Sequence, residues 1–365
     1  MSPFSRCHTR ASVFVAALVA PVMMSVAGAA DDCRFPPSPQ ATPAASVVCA
    51  PVDNAQLEAP CYAAAVRGGG LPARRQGVSH LCLPQADYVS ADILVLGEVH
   101  DNWLHHALRA VMIERFAKAK QGRAAVVMEH IRASKARVLA EYQAAIDRTQ
   151  PRYWKAAAAE LGQALNWEKS GWKPWPMFAR MAEAAFKAGL PIYAGDPTRV
   201  EIRAVARKGV AALSEARRKS LGLDHPLSAR VQDALLTQLE ASHCNLLPKS
   251  AFGTMADAQR LRDAVLAAST VSAARKHGAA ILLTGNGHAR TDRGAPSYMR
   301  KLAPDLKIVS VVFVEAAGQS NKNPPVDRLP RSPDGRPAAD ALVLTGQVQR
   351  PDPCVAMRRR FQRRK

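Results

Sequence analysis

Several features that would assign the chain quickly are missing from it. Beyond residues 1–30 there is no run of about 18 uninterrupted apolar residues, so a membrane-spanning helix is excluded and we expect a soluble mature chain. No two cysteines have the Cys-x-x-Cys spacing, which excludes the common zinc and redox motifs. There is no internal repeat of the solenoid kind and no recognisable nucleic-acid-reading motif, so nucleic acid is not an expected partner.

The N-terminus has the organisation of a cleavable signal peptide over residues 1–30. Arg6 and Arg10 precede an apolar run, Ala11 to Val26, which is followed by small residues. Two aspartates directly precede Cys33, where a lipidated cysteine would need a Leu-x-small pattern, so we do not expect a lipid anchor. These features predict a periplasmic or secreted protein.

Cysteine usage fits an exported chain. The sequence has seven cysteines, and the leader contains one of them, Cys7. An even number remains, which favours disulfides, although the sequence does not fix their pairing. The mature cysteines are Cys33, Cys49, Cys61, Cys82, Cys244 and Cys354. Because four of them precede the regular part of the chain, bridges could pin a loop-rich N-terminal segment to it.

The chain is strongly basic. Its formal net charge of +20 becomes +18 without the leader, which has two basic residues and no acidic one. Six of the charges lie at the C-terminus, on Arg358, Arg359, Arg360, Arg363, Arg364 and Lys365. A disordered, solvated tail is the interpretation that we favour, and peripheral contact with an anionic membrane surface or polymer is the alternative.

The pattern of apolar residues divides the chain into four segments. These are a signal peptide (1–30), a cysteine-bearing loop-rich segment (31–87), an α/β domain (88–317) and a C-terminal extension with a basic tail (318–365). Within the α/β domain, short strand-like runs alternate with helical patterns. The runs are Ile93–Leu96, Val126–Met128, Ile192–Ala194, Ile281–Thr284 and Ile308–Val314. Strands joined in this way predict an α/β fold with a largely parallel central sheet flanked by helices on both faces.

Polar side chains follow nearly every predicted strand. They are Glu98, His100, Glu129, Asp196, Asn286 and His288. Because the carboxyl ends of parallel strands lie along one edge, we expect these residues to converge there, where open α/β sheets bind ligands. Asp101 or Asn102 should cap the helix after the first strand. The glycines beside Asn286 are consistent with a tight turn that brings backbone close to a ligand, and equally with a plain strand-to-helix turn.

Two histidines and a carboxylate are the minimum set for a hydrolytic metal centre that keeps a position open for water. His100, His288 and either Glu98 or Glu129 could provide that set. His100 and His106 lack the i, i+4 spacing of a metalloprotease helix, so a metal would be held from separate strand ends. For His105 or His106 alone, an ordinary position in the first helical turn is the simpler interpretation.

Two further features have competing interpretations. His243 beside Cys244 suggests a thiol nucleophile with a base, but a disulfide is favoured for an exported cysteine. A tryptophan-rich stretch could be ordinary core or could wall a flat ligand such as a porphyrin. Its members are Trp154, Trp167, Trp172 and Trp175.

Several motifs together resemble the ChaN family of haem-binding, iron-uptake-associated proteins, within the wider Tiki and erythromycin-esterase superfamily. In chain order they are GEVHDNWLHH (Gly97–His106), MEH (Met128–His130), Trp167 and Trp172, LPIYAGDPTR (Leu190–Arg199), SHCNLLP (Ser242–Pro248), TMADAQRLRDAVLAAS (Thr254–Ser269), GNGHARTDRGAPSYM (Gly285–Met299) and PDPC (Pro351–Cys354). The resemblance covers most of the mature chain.

The resemblance implies a parallel α/β domain, haem as cofactor, dimerisation around that cofactor and a role in handling haem iron outside the cytoplasm. It makes His100, His105, His106, His243, Tyr193 and Tyr298 the candidate haem-binding residues. It also places Glu98, His100, His106, Glu129 and His288 on positions shared with metal-dependent hydrolases, with Glu98, His100, His106 and His288 as metal ligands. We therefore expect an exported haem-binding protein, with a metal-dependent hydrolase or a scaffold with a decayed site as alternatives.

Overall fold

The computed structural model describes residues 48–51, 80–83, 88–316 and 330–362, and these form one eight-stranded sheet with helices on both faces. The strands are β1 (Val48–Pro51), β2 (His80–Leu83), β3 (Ile93–Leu96), β4 (Ala125–Arg132), β5 (Ile192–Asp196), β6 (Ala280–Leu283), β7 (Ile308–Ala316) and β8 (Ala341–Gly346). Their spatial order is β1-β2-β8-β7-β3-β6-β4-β5. All neighbours from β8 to β5 are parallel, whereas β1 and β2 pair antiparallel at one edge. The predicted fold class is confirmed.

The short central strands are apolar along their whole length because both of their faces are covered. In β3, every residue from Ile93 to Leu96 is fully buried. Leu94 and Leu96 face one half of the core and Ile93 and Val95 face the other, as the two-residue period of a strand requires.

Ten α-helices surround the sheet in the described part of the chain. They are α1 (Trp103–Ala119), α2 (Ala136–Ala144), α3 (Tyr153–Ala164), α4 (Trp175–Lys187), α5 (Arg199–Lys208), α6 (Glu215–Ser220), α7 (Ala229–Ser242), α8 (Phe252–His277), α9 (Ala295–Leu302) and α10 (Pro353–Gln362). Helices α1, α3 and α4 pack together on the face of the sheet to which Leu94 points, and α5, α8 and α9 cover the opposite face. The sheet is therefore the middle layer of three.

The turn from β3 into α1 begins the helix as predicted. Asn102, and not Asp101, is the N-cap: its side-chain oxygen accepts from the backbone N–H of Leu104 at 3.0 Å and of His105 at 3.4 Å. Asp101 instead pairs with Arg350 at 2.7 Å. The cap fixes the direction in which α1 leaves the strand and so positions the histidines that follow.

The C-terminal extension contributes more regular structure than its sequence indicated. The apolar run from Ala341 becomes β8, which pairs in parallel with β7 and so adds a sixth parallel strand. The expectation of a disordered tail is wrong for its first part, residues 358–362, which belong to α10 (Pro353–Gln362). Covalent attachment explains the order at its first turn, since Cys354 is bonded to Cys244 after α7.

The Cys244–Cys354 disulfide confirms the favoured interpretation of Cys244 and rules out a thiol nucleophile there. It closes a loop across a sequence separation of 110 residues. The signal peptide, Cys33, Cys61 and the last basic residues, Arg363, Arg364 and Lys365, lie outside the described residues, as do the side chains of Cys49 and Cys82, so the predicted N-terminal bridges stay predictions. None of the helices in the described ranges combines the length and apolar composition of a bilayer-spanning helix.

Replacing Cys354 by Ser should lower the free energy of unfolding by about 2–4 kcal/mol, because the long loop is no longer closed in the unfolded state. Urea unfolding monitored by circular dichroism measures this. The Cys244→Ser Cys354→Ser double variant is the matched control, and it should be no less stable than the single variant. A Cys354→Ser protein as stable as the wild type would contradict the prediction.

Candidate functional site

A buried carboxylate, Glu98, forms the centre of the first polar cluster beyond the strand ends. Its Oε1 accepts from Nδ1 of His100 at 2.6 Å and from Nε2 of His130 at 2.7 Å. Its Oε2 accepts from the guanidinium of Arg109 and lies 3.4 Å from Nδ1 of His106. Only His100 is substantially exposed among these side chains, at 39%. The cluster is a buried ion pair with three imidazoles around it.

The local sequence explains how these groups meet. Glu98 and His100 follow β3, and His130 lies near the end of β4. The His130 side chain points to the face of the sheet on which Phe178 packs, since the two ring centroids are 4.7 Å apart. Arg109 is on the buried stripe of α1, three residues after His106, so both side chains point at the sheet.

A second carboxylate, Glu129, forms the centre of the other cluster. Its Oε1 accepts from Arg262 at 2.8 Å, and its Oε2 accepts from the Thr284 hydroxyl at 2.6 Å and from the Gly285 backbone N–H at 2.7 Å. Arg262 also donates to Asp196 at 2.7 Å. Adjacent strand residues alternate between faces, so Glu129 turns toward α8 while its neighbour joins the first cluster.

Two histidines are held in the same manner, one in each cluster. The His100 Nδ1 contacts Glu98 at 2.6 Å, and the His288 Nδ1 contacts Asp263 at 2.7 Å. For His100, the carboxylate partner assigns the proton to Nδ1 and leaves Nε2 as the free nitrogen. The His288 Nε2 lies 3.5 Å from Oε1 of Glu129. The Nε2 of Gln259 also lies 3.4 Å from Nε2 of His288. The His100 ring therefore presents a nitrogen with a lone pair at the strand-end edge.

The exposed edge of the His100 ring lies between Gly285 and Trp172. A Cβ on Gly285 would lie 2.9 Å from Nε2 of His100 and 3.7 Å from Oε2 of Glu129, so the absence of a side chain there allows the two clusters to approach. The Trp172 ring centroid lies 4.8 Å from that of His100 and 4.8 Å from that of His130. This opening is the accessible part of the site.

The electrostatic environment keeps the imidazoles around Glu98 neutral and Glu129 ionised. Burial lowers the pKa of His100 and of His130, and it lowers that of His106 to about 4. Burial would raise the pKa of Glu129, but the charges of His288 and Arg262 hold it well below its usual value. Neutral imidazoles are the form that coordinates metal ions.

Several predicted site residues lie elsewhere. His105 is fully buried, accepts from the Val99 N–H at 3.0 Å and contacts the Thr345 hydroxyl at 2.7 Å, so it joins α1 to β8. Asn286 bonds the Phe313 carbonyl at 2.6 Å and the Phe313 N–H at 3.1 Å, which ties the predicted turn to β7.

The remaining candidates are also away from the two clusters. His243 ends α7, where its Nδ1 bonds the Leu239 carbonyl at 2.8 Å. Tyr193 contacts Nε2 of His277 at 2.8 Å, and Tyr298, on α9, is buried in the core. The structure thus brings His100 and His106 into the site, and it places His105, His243, Tyr193 and Tyr298 outside the Glu98 and Glu129 clusters.

Four residues with direct contacts in the site were not assigned to it from the sequence. They are Arg109, His130, Arg262 and Asp263. A signal existed for Arg109, since a charged residue interrupts the apolar stripe of α1. The tryptophans divide between the two interpretations: Trp172 lines the site, while Trp167 and Trp175 pack in the core with centroids 4.7 Å apart.

A metal-ligand set is present in the first cluster. Three possible ligand atoms, one each from Glu98, His100 and His130, lie within 4.8 Å of one another. Two imidazole nitrogens and one carboxylate oxygen suit a divalent cation such as zinc. The predicted ligands His106 and His288 are not in this set; His288 contributes to the Glu129 cluster instead.

The fold and the site define a class: a three-layer α/β protein with two buried histidine and carboxylate clusters at the carboxyl edge of a parallel sheet. Within that class, the chain belongs to the haem-binding uptake family ChaN of the Tiki superfamily, whose family model matches residues 86–299, more than half of the chain. The predicted family is confirmed. No curated protein matches the chain.

One solved structure agrees on the fold. The chain is similar to a structure that describes cofacial haem binding to ChaN of Campylobacter jejuni, with 19% identity, a TM-score of 0.50 and coverage of 71% of this chain and 89% of that one. A weaker likeness is to the type III effector HopBA1, with 14% identity, a TM-score of 0.35 and coverage of 72% of this chain and 90% of that one. Another is to an erythromycin esterase, EreC, in its open conformation, with 16% identity, a TM-score of 0.32 and coverage of 73% of this chain and 78% of that one.

Proposed function

We propose that this protein binds haem at the strand-end edge of its sheet, with His100 as an iron ligand, and that it handles haem in iron acquisition outside the cytoplasm. Family membership supports haem as the ligand. The observation that carries the assignment to this site is His100, whose Nδ1 contacts Glu98 at 2.6 Å while its ring edge is open to solvent. A histidine oriented by a carboxylate is a common haem and metal ligand.

The surrounding residues fit a haem. Among the described residues, no hydrogen bond reaches Nε2 of His100, so this donor is available to iron. Trp172 beside it offers an aromatic surface for a flat macrocycle. Gly285 leaves the space that a side chain would fill against the imidazole.

The compartment is part of the same proposal. The Cys244–Cys354 disulfide supports an oxidising environment, such as the periplasm or the cell exterior. A homodimer around the cofactor and contact of the basic tail with an anionic membrane surface stay predictions.

A hemin titration of the purified protein tests the proposal. We expect a shifted Soret band that saturates at about one hemin per chain at micromolar concentrations. Absence of a shifted, saturable band would contradict haem binding.

The Gly285→Ala substitution should weaken hemin binding by about tenfold or more, because the added methyl displaces the His100 ring. Gly287→Ala is the matched control, since a Cβ there meets nothing within 4 Å. Soret titrations of the two variants measure the difference. Equal affinities would show that the position of the His100 ring does not matter for binding.

The second candidate function is a metal-dependent hydrolase, favoured by the two oriented histidines beside Glu129. Glu129 is held ionised and its Oε1 lies 3.5 Å from Nε2 of His288, which makes these two side chains the candidate acid–base pair. The donor set of Glu98, His100 and His130 fits a divalent cation, which would supply Lewis-acid polarisation.

Metal analysis after native purification tests this second candidate. The hydrolase interpretation expects about one divalent metal ion per chain, lost in His100→Ala and retained when the exposed His225 is replaced by Ala. It also expects Glu129→Gln to abolish turnover of a chromogenic ester. A protein without bound metal and without esterase activity would exclude the hydrolase.

A further inference from the structure

The segment that follows β8, residues 347–352, crosses the strand-end edge on its way to α10, and we call it the strap. Because β8 is parallel to β7, it ends at the same edge as the site, and the strap begins there. Arg350, in the strap, pairs with Glu315 of β7 at 2.6 Å and with Asp101, beyond β3, at 2.7 Å. The strap therefore passes over the ends of β7 and β3 and contacts the residue next to His100.

Arg350 holds the turn that carries His100 through two carboxylates. Its Nε donates to both oxygens of Asp101, at 2.8 and 2.9 Å, and its two terminal nitrogens donate to the two oxygens of Glu315, at 2.6 Å each. Glu315 also accepts from the side chain of Asn102, the N-cap of α1, at 2.7 Å. Without the guanidinium, the two carboxylates would stay close together with no cation between them, and their repulsion would disfavour this turn.

A disulfide fixes the far end of the strap. Cys354, in the first turn of α10, is bonded to Cys244, which follows α7. Only residues 351–353 separate Arg350 from the bridge, and two of these three are prolines, whose fixed φ makes the link stiff. Cys244 has a left-handed backbone conformation, with φ at 58°, which a residue with a side chain keeps where its surroundings hold it. The bridge therefore sets the position of Arg350.

The bridge can be reached by a dithiol reductant, because both of its cysteines are only half-buried. One thiolate of the dithiol attacks a cysteine sulfur and breaks the S–S bond, and the second thiolate then displaces that cysteine. Two electrons and two protons pass to the protein, which gains two thiols, while the dithiol becomes a cyclic disulfide. The strap is then held by the ion pairs of Arg350, which are partly exposed and individually weak.

We propose that Arg350 is a positioning residue for the turn that carries His100, and that the Cys244–Cys354 disulfide makes this positioning depend on thiol redox state. With the bridge intact, the strap keeps Arg350 between its two carboxylates and the turn is fixed. With the bridge reduced, Arg350 leaves the carboxylates more often and the turn opens more often. This inference concerns the turn itself, whatever ligand His100 binds, so it goes beyond the proposed haem function.

Amide hydrogen exchange followed by mass spectrometry tests this assignment without any ligand. In the intact turn the Asn102 N–H donates to the Val99 carbonyl at 2.9 Å, and the Val99 N–H donates to Nδ1 of His105 at 3.0 Å. We expect exchange in a peptide covering residues 97–106 to become about tenfold faster on treatment with dithiothreitol. Arg350→Gln should cause the same acceleration with the bridge intact, and reduction should then add little, because both changes act through one contact.

Two control variants assign the effect to this bridge and this arginine. The Cys244→Ser Cys354→Ser variant should exchange like the reduced wild type and should not respond to dithiothreitol, which excludes effects at other cysteines. Arg359→Gln, at an exposed position of α10, should behave like the wild type. A peptide covering α2 is the internal reference and should keep its rate throughout, since global unfolding would accelerate its exchange as well.

Three results would overturn the inference. The first is equal exchange of the 97–106 peptide in the oxidised and reduced protein, and the second is an equal acceleration of the α2 peptide. The third is an Arg350→Gln variant that exchanges like the wild type although reduction accelerates the turn, since the disulfide would then act by a route other than Arg350. None of these readouts needs haem, so the proposed function can fail while this inference stands, and the reverse.

Discussion

Replacing Glu98 by Gln should lower the free energy of unfolding by about 3–5 kcal/mol, the cost of leaving a buried charge without its partner. Arg109 is completely buried, and Glu98 is the carboxylate that it contacts. Burial already lowers the pKa of Arg109 to about 9, which reflects how strongly this position disfavours an unpaired cation. The amide side chain of the variant would keep the shape of the carboxylate but lose its charge. Urea unfolding measures the difference.

The matched control for this prediction is Glu141→Gln, which removes an exposed carboxylate paired with Arg137 and should cost less than about 0.5 kcal/mol. Adding Arg109→Met to Glu98→Gln should recover part of the stability, because the buried cation is then gone as well. A loss below about 1 kcal/mol for Glu98→Gln would show that the buried pair is not the electrostatic centre of the site.

Acidification should destabilise the protein well before its carboxylates titrate fully. Burial lowers the pKa of His105 to about 3 and that of His106 to about 4, from an ordinary value of 6.5. Above pH 6.5 both are neutral in the folded and unfolded states. As the pH falls below 6.5, the unfolded chain binds protons first, so stability is lost progressively until the folded pKa values are reached.

The expected loss between about pH 7.5 and pH 5 is about 2 kcal/mol from each of His105 and His106, and the lowered pKa values of His100 and His130 add to it. Asp196 and Asp263 oppose the trend in part, since burial raises their pKa. Urea unfolding across this range is the measurement. A His105→Gln variant should lose less stability on acidification by about 2 kcal/mol, and His225→Gln should follow the wild type. A wild-type stability that does not change down to about pH 5 would contradict the neutral, buried state of these histidines.

Much of the architecture could be predicted because the central strands are short and apolar on both faces. Five strand-like runs all became strands of the parallel sheet, and the expected gathering of Glu98, His100, Glu129, Asp196 and His288 at one edge follows from strand direction alone. The strand status of the run from Ala341 was harder to predict, because β8 depends on pairing with distant β7.

The division of the site into two clusters was beyond sequence reasoning for a physical reason. Glu129 and His130 are adjacent in sequence, yet the two-residue period of a strand sends them to opposite faces of the sheet. Arg262 comes from a long helix whose orientation over the sheet depends on tertiary packing. For the same reason, His105 and His106 differ in role although they are neighbours: one ties α1 to β8, and the other lies beside Glu98.

The measurement that tests the central claim most directly is a hemin titration of the His100→Ala variant, with His225→Ala as the control variant. We expect His225→Ala to give the wild-type Soret band and affinity, and His100→Ala to lose affinity by about a hundredfold with a shifted band that added imidazole restores. If His100→Ala binds hemin with the wild-type spectrum and affinity, the iron does not lie at His100 and the proposed site is wrong.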